Sequence, residues 1–433
     1  MLDLLVKNGN VYLNHAWVKT NVGVLDERIS YIGSDEPAAK EVLDAKGKKV
    51  LPGLIDPHVH FALDCGRLTS VDDFNSGSVC AIYGGVTTII DFLDPTSNAE
   101  ELEKSFYKRL EEAKDCHVDY HFHACLKMPN GSLEDYVKKT RELGMKTIKI
   151  FTTYSDTGRR TYEKDIHELL VLSKKYNVLI EAHIENDDLI DLRDEYTYKD
   201  LPVSRPSMSE TSEALKLAEM VRETKGNFYM VHCSSGETLK ALQEQYSDIL
   251  NKNFFVESCP QYFIFNNEVL EQDNGKLFTF APPLRRERER QLMVANYKDV
   301  ITIGTDHCSF MKKDKDWPSL KGFPLGVGGI EHSFSTMYRR FGDEIIEKMS
   351  INNGDIQDLP KGEIKLGAYA DLSIFEEKED YFENENHGTC DYSIYDGILG
   401  AGVFTDVFVR GHQVLKNREV VPFKGRLLNC GEE

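Results

Sequence analysis

An apolar run, Val50-Leu51-Pro52-Gly53-Leu54-Ile55, leads straight into Asp56-Pro57-His58-Val59-His60. Residues i and i+2 of a strand point to the same side, so His58 and His60 can present both imidazoles to one point in space. Neutral imidazole is the commonest ligand for zinc and its neighbours. A single His-x-His pair also arises by chance on a strand face, so the rest of the chain decides. Further apolar segments end in Glu181-Ala182-His183, Met230-Val231-His232 and Ile303-Gly304-Thr305-Asp306. Random placement of the chain's 13 histidines would seldom put four at such ends and leave an aspartate closing the last. Lys149 sits inside Thr147-Ile148-Lys149-Ile150-Phe151, an unfavourable place for an ammonium. A neutral buried amine can take up carbon dioxide to form a carbamate, an anionic ligand able to bridge two divalent cations about 3.5–4 Å apart. The alternative is a lysine that snorkels to the mouth of the fold or pairs with an acid. Its company of histidines and an aspartate favours the bridge.

Those residues need a scaffold that brings many strand ends to one rim. From residue 50 onward, eight short β-rich segments recur: Val50–Ile55, Val86–Phe92, Val118–Cys125, Lys146–Phe151, Val178–His183, Asn227–His232, Phe254–Ser258 and Val300–Thr305. Between them lie amphipathic or charge-rich stretches such as Ala99–Lys114, Leu133–Leu143, Lys164–Tyr176, Ser209–Thr224 and Glu237–Tyr246, each long enough for a crossover helix. The pattern predicts an α/β fold, a (β/α)8 TIM-like barrel over residues 51–361, with its chemistry at the carboxyl ends of the strands. The two ends of the chain do not fit that pattern. Leu4–Tyr12, Val22–Val24 and Arg28–Ile32, and later Ala370–Phe375 and Val403–Val409, read as strands joined by Gly and Asn turns. Residues 1–50 and 362–433 are therefore expected to pair into one small β-sandwich domain. Acidic Glu376–Asn386 reads as a solvated surface segment.

The chain resembles the dihydropyrimidinase/hydantoinase family of the amidohydrolase superfamily over nearly its whole length. The resembling stretches are Pro52–His60, Asp72-Asp73-Phe74 with Gly84–Phe92, Lys149–Tyr154, Glu181–Asn186, Ser204-Arg205-Pro206, Val231–Ser235, Cys259–Tyr262, Pro282–Arg285 and Gly304–Cys308. The resemblance implies two divalent metal ions, zinc first among them. His58, His60, Lys149 as carbamate and Asp306 would hold the more buried ion, and Lys149, His183 and His232 the more exposed one, with a hydroxide between. It implies that Asp306 takes the proton of the attacking water and returns it to the departing ring nitrogen. Tyr154 would aim its hydroxyl at the developing oxyanion; the plainer reading of Tyr154 is a packed loop aromatic.

The chain departs from the family at two positions that contact the substrate ring, there mainly through backbone groups. Ala281 stands where relatives commonly have Ser, and Leu325 where they commonly have Asn in a Pro-Asn-Gly turn. The stretch from Gly329 to Gly362 is also about fifteen residues shorter than usual and lacks an Asn-Pro-Ala helix start. His121 and His123 form a second His-x-His, but Tyr120, Phe122 and Cys125 surround them, so they read as core or as support behind the ligands. His307, one residue past Asp306, reads likewise. The loops Asp64–Thr69 and Tyr154–Tyr162 follow strands 1 and 4 and can cover the substrate's exocyclic group.

The chain has 433 residues, 41% of them hydrophobic, and a formal net charge of −20. That balance argues against nucleic acid or an anionic membrane as partner, since both need clustered positive charge. No leader-like start or long apolar span is visible, and nine cysteines without close pairing read as reduced thiols, so a cytoplasmic location is expected. The leading expectation is a binuclear metal-dependent cyclic amidohydrolase that opens a dihydropyrimidine or 5-substituted hydantoin to an N-carbamoyl amino acid. A small-molecule cyclic diamide would be its substrate, and a homo-oligomer, a tetramer or else a dimer, its assembly. Allantoin or dihydroorotate is the alternative substrate; Phe61-Ala62-Leu63 after His60 lacks the arginine expected for the latter's carboxylate. A scaffold protein that has lost its catalytic role is the alternative from a different class, disfavoured because all six ligand positions hold competent residues.

Overall fold

The computed structural model describes residues 1–383 and 386–431. Eight parallel strands stand side by side in chain order: Leu54–Val59, Val86–Phe92, Asp119–Cys125, Thr147–Phe151, Leu179–His183, Phe228–Met230, Phe254–Ser258 and Thr302–Ile303. Val59 and His307 make a parallel bridge, and His60 N–H donates to His307 O at 2.8 Å. First and last strands therefore meet, and the sheet curls into the expected TIM-like barrel.

Helices Ala99–Glu112, Leu133–Glu142, Glu163–Tyr176, Ser207–Thr224 and Gly236–Tyr246 fill the expected crossovers. Their starts are encoded locally. The Asn98 side chain accepts from Glu101 N–H and the Ser132 side chain from Asp135 N–H, satisfying amides that have no partner inside the helix. The late segment still carries three short helices, Ser333–Phe341, Glu344–Lys348 and Ile351–Gln357.

The first expected strand divides. Lys49–Pro52 belongs to the terminal sheet, pairing with Leu372–Phe375, and the barrel strand begins at Leu54. An apolar run alone cannot reveal this split, because both halves are buried. Two other strands are shorter than expected, so His232 and Asp306 lie beyond their strand ends with φ of +41° and +53°.

Both termini build one nine-stranded mixed sheet. It folds around a core drawn from the two ends, including Leu4, Val24, Val50, Leu372 and Phe408. Glu376–Tyr381 forms the exposed end of the strand Leu372–Tyr381; residues 384 and 385 of the acidic segment lie outside the described residues. Further on, within the stretch 362–433, the chain leaves this sheet and runs under the barrel. Tyr120 N–H donates to Arg426 O at 3.0 Å and Leu428 N–H to Tyr120 O at 2.8 Å. Gly425 permits the approach, since a Cβ there would lie 1.8 Å from Val118 O. Above it, buried Lys361 joins Asp119 of the third barrel strand (2.8 Å) to Asp371 at the sheet edge (2.6 Å).

Candidate metal centre and active site

Strand Leu54–Val59 is buried throughout, and its pleat sets His58 two residues ahead of His60 at the carboxyl rim. Their Nε2 atoms lie 3.2 Å apart, and Asp306 Oδ1 is 3.3 Å from the first and 3.2 Å from the second. Two imidazole nitrogens and a carboxylate oxygen in so tight a triangle have the donor chemistry of a zinc-type site. His58 is held from behind. Its Nδ1 lies 2.8 Å from Glu257 Oε1, and that carboxylate also accepts from His232 N–H at 3.1 Å and from Tyr229 Oη at 2.8 Å. With a carboxylate on Nδ1, the lone pair of Nε2 faces the triangle.

His183 and His232 form a second group rather than joining that triangle. Their ring centroids are 4.7 Å apart, and His232 lies 5.5 Å from His58. Between the groups, buried Lys149 places Nζ 4.5 Å from the centroid of Phe92, whose other contacts include His60 at 4.6 Å. His183 Nε2 is 2.7 Å from Glu185 Oε2, and Arg205 closes on the same carboxylate. The Arg205 guanidinium lies 4.9 Å from the centroid of Tyr154, which itself sits 5.2 Å from His183.

The electrostatics keep the histidines available as ligands. Burial pushes His58 and His232 well below the ordinary imidazole range, helped by the charge of Lys149 on the first and of His183 on the second. Burial acts the other way on Asp306, yet His58 and His60 together hold its carboxyl below the usual range. Buried imidazoles that resist protonation, such as His58 and His232, leave nitrogen lone pairs free for a cation. Behind Lys149, Glu181 is buried, and burial pushes its carboxyl up to about 8 against the pull of that lysine. Tyr154, His232 and Asp306 all have left-handed backbones, with φ between +41° and +67°. Non-glycine residues held there mark a rim where side-chain aim outweighs backbone comfort.

A cavity of about 160 Å³ opens onto this centre. His60, Lys149, Tyr154, His183, His232, Asp306, Ala281 and Leu325 line it, while His58 sits behind. The second His-x-His stays out. His123 contacts Pro57 O (2.9 Å) and the Thr147 hydroxyl, and His121 contacts Leu428 O (2.8 Å). His307 contacts Asp72 at 3.0 Å. Sequence reasoning assigned no role to Glu257, Glu185 or Arg205. The last two lie in family-like stretches, but Glu257 carried no signal beyond being an acid in an apolar strand.

The amidohydrolase family model matches residues 49–414. The chain belongs to the amidohydrolase family. It is 28% identical to a D-hydantoinase of Geobacillus stearothermophilus, over 96% of this chain and 94% of that protein. It is 26% identical to a dihydroorotase of Pediococcus pentosaceus, over 88% and 91%. The solved D-hydantoinase (dihydropyrimidinase) of Thermus sp. superposes with a TM-score of 0.90 at 25% identity, covering 98% of each chain. Metal dependence is a property of this family, and the triangle of His58, His60 and Asp306 offers an amidohydrolase a place for an ion. No helix among the described residues is long and apolar enough to cross a membrane.

Proposed function

We propose that this amidohydrolase is a cyclic-amide hydrolase that opens a dihydropyrimidine or 5-substituted hydantoin ring to an N-carbamoyl amino acid. The observation that carries the reading is the convergence of His58 Nε2, His60 Nε2 and Asp306 Oδ1 within 3.3 Å at a cavity also lined by Lys149, His183 and His232. Hydantoinases are among its relatives, which supports the ring chemistry.

His58, His60 and Asp306 would hold one divalent ion and His183 and His232 a second, with Lys149 as carbamate serving both. When bound, such ions polarise the ring carbonyl and make water acidic enough to attack at neutral pH. Asp306 takes the proton of the attacking water at its carboxylate and delivers it to the departing ring nitrogen. The Tyr154 hydroxyl donates to the oxygen on which charge develops, and Arg205 over its ring, anchored on Glu185, fixes that side chain. Ala281 and Leu325 face the ring from the cavity wall. Zinc fits the mixed nitrogen and oxygen donors. A cytoplasmic homo-oligomer, a tetramer or else a dimer, completes the reading, and nine free cysteines accord with a reducing compartment.

Against dihydroorotate as substrate, Phe61 after His60 is buried and packs edge-on against Phe74 (5.8 Å), so no cation follows the His pair. The test is ring opening of dihydrouracil, a D,L-5-substituted hydantoin, allantoin and dihydroorotate by protein loaded with zinc and bicarbonate, beside Lys149→Ala. Turnover of either of the first two that vanishes in the variant is the expected result. Opening of allantoin or dihydroorotate alone would overturn the substrate, and no turnover by metal-loaded protein would overturn the reaction.

A further inference from the structure

The loop after barrel strand 4 carries two consecutive arginines with different circumstances. Arg160 has acidic partners, Asp187 at 3.4 Å and Asp188 at 3.7 Å. Arg159 has none: among the described residues no carboxylate lies within ion-pair distance of its guanidinium, which stands 6.0 Å from the centroid of the Phe151 ring.

Its position is informative. Arg159 lines both the inner cavity at the metal centre and an outer groove of about 830 Å³, and the two share Cys65, Tyr154, Arg159 and Leu325. It therefore stands at the passage between the ring pocket and solvent, where an exocyclic substituent must run. Other cations along the groove are engaged. Arg205 pairs with Glu185, Lys321 with Asp194, and Arg67 stacks over Trp317 at 3.9 Å. Leu63, Leu93, Pro95, Phe280 and Leu325 supply apolar surface in the inner cavity that Arg159 lines, while Asp156 and Asp187 line the outer groove with it. A guanidinium beside a low-dielectric wall, without an internal counter-charge, attracts an anion more strongly than one in open water. The charge of Arg159 reaches inward as well, bearing on Tyr154, Cys65 and Cys125.

We propose that Arg159 is a specificity-determining residue and that the substrate's exocyclic group ends in a carboxylate. The substrate class is then a hydantoin bearing a short acidic side chain at C5, the five-membered ring-closed form of an N-carbamoyl acidic amino acid. This rests on the cyclic-amide reading above. Water adds across the ring amide: the C–N bond breaks, a C–O bond forms, the nitrogen takes the proton, and the side-chain carboxylate is unchanged. The planar fork of Arg159 takes that carboxylate bidentately, as guanidinium groups do. This places anion recognition on the strand 4 loop rather than next to His60.

The test compares D,L-5-(2-carboxyethyl)hydantoin with its neutral side-chain carboxamide, using zinc- and bicarbonate-loaded wild type, Arg159→Gln and Arg159→Lys. Wild type should favour the carboxylate by about ten-fold or more in kcat/KM. Arg159→Gln should erase that preference chiefly through KM, Arg159→Lys should keep part of it, and added salt should weaken it in wild type. Calorimetric binding of N-carbamoylglutamate and N-carbamoylglutamine supplies a readout without turnover. Hydantoin opening with no carboxylate preference would overturn this proposal and leave the cyclic-amide function standing. Arg159-dependent binding of N-carbamoylglutamate without ring opening would overturn the cyclic-amide function, and the hydantoin substrate with it, and leave only an anion site at Arg159. Neither turnover nor charge-selective binding would overturn both.

Discussion

Lys315 Nζ donates to Pro324 O at 2.6 Å, from a side chain that is 1% exposed. The same nitrogen reaches Gly326 O at 2.7 Å, Thr279 O at 3.1 Å and Thr279 Oγ1 at 3.0 Å. One buried amine, its pKa pushed down to about 7 by burial, thus gathers the two chain segments that carry Leu325 and, two residues after Thr279, Ala281. Four oxygens around one nitrogen fix the cavity wall where a ring would lie. On the proposed function, this tether holds the backbone of the segments carrying Ala281 and Leu325 whatever their side chains are.

Replacing Lys315 by Met removes the Nζ donor from Pro324 O and Gly326 O, while Thr279 O keeps the N–H of Gly326 at 2.9 Å. We expect a stability loss of about 1–3 kcal/mol per unsatisfied group at most, partly relieved by water entry, and a raised KM. Thermal unfolding and steady-state kinetics of Lys315→Met check this; wild-type KM in a destabilised variant would show that the tether does not shape the site.

Glu257 orients His58 through Nδ1 and holds the backbone N–H of His232. Glu257→Gln should weaken metal affinity by about ten- to a hundred-fold, the range typical of residues that support ligands. Competition with a chelator measures it directly, and unchanged affinity would mean that the barrel alone aims His58.

Lys149→Ala should lower bound metal and abolish ring opening together. In wild type, reconstitution with zinc in CO2-free buffer should yield little activity, and bicarbonate should restore it. Intact-protein mass under gentle conditions should then show the added mass of one carbon dioxide. Full metal loading and turnover without bicarbonate would rule out the carbamate.

Asp72 gives a pH test away from the metal centre. Burial would raise its carboxyl, but His307 at 3.0 Å and Ser309 at 2.5 Å hold it well below the usual carboxylate range. The unfolded chain titrates near about 3.9 and binds the proton more readily than the folded one. The contribution of Asp72 is therefore fully present above that value and is lost as pH falls toward the folded pKa. Asp72→Asn should be destabilised at neutral pH, with the gap from wild type closing in acid. Melting temperatures from pH 7 down to about 2 provide the measurement, and a gap that stays constant below about pH 4 would contradict the assignment.

The sequence by itself determined the parts that depend on local pattern. A two-residue period fixes that His58 and His60 share a face, and alternating apolar segments and amphipathic stretches specify the βα units. Lys149 in an apolar strand was legible because burying an ammonium is unfavourable anywhere. Tertiary structure alone decided what meets across the barrel. Glu257 lies 199 residues from His58 in the chain, and their contact follows from closure of the barrel, which no local period encodes. The same holds for Lys315 beneath Thr279, 36 residues earlier, for Arg205 over Tyr154, and for the tail carrying Gly425 beneath the third strand. Hydrophobic patterning reports which side of an element leaves water. Which buried acid finds which base is settled only when distant strands are brought into register and every remaining polar group must be satisfied.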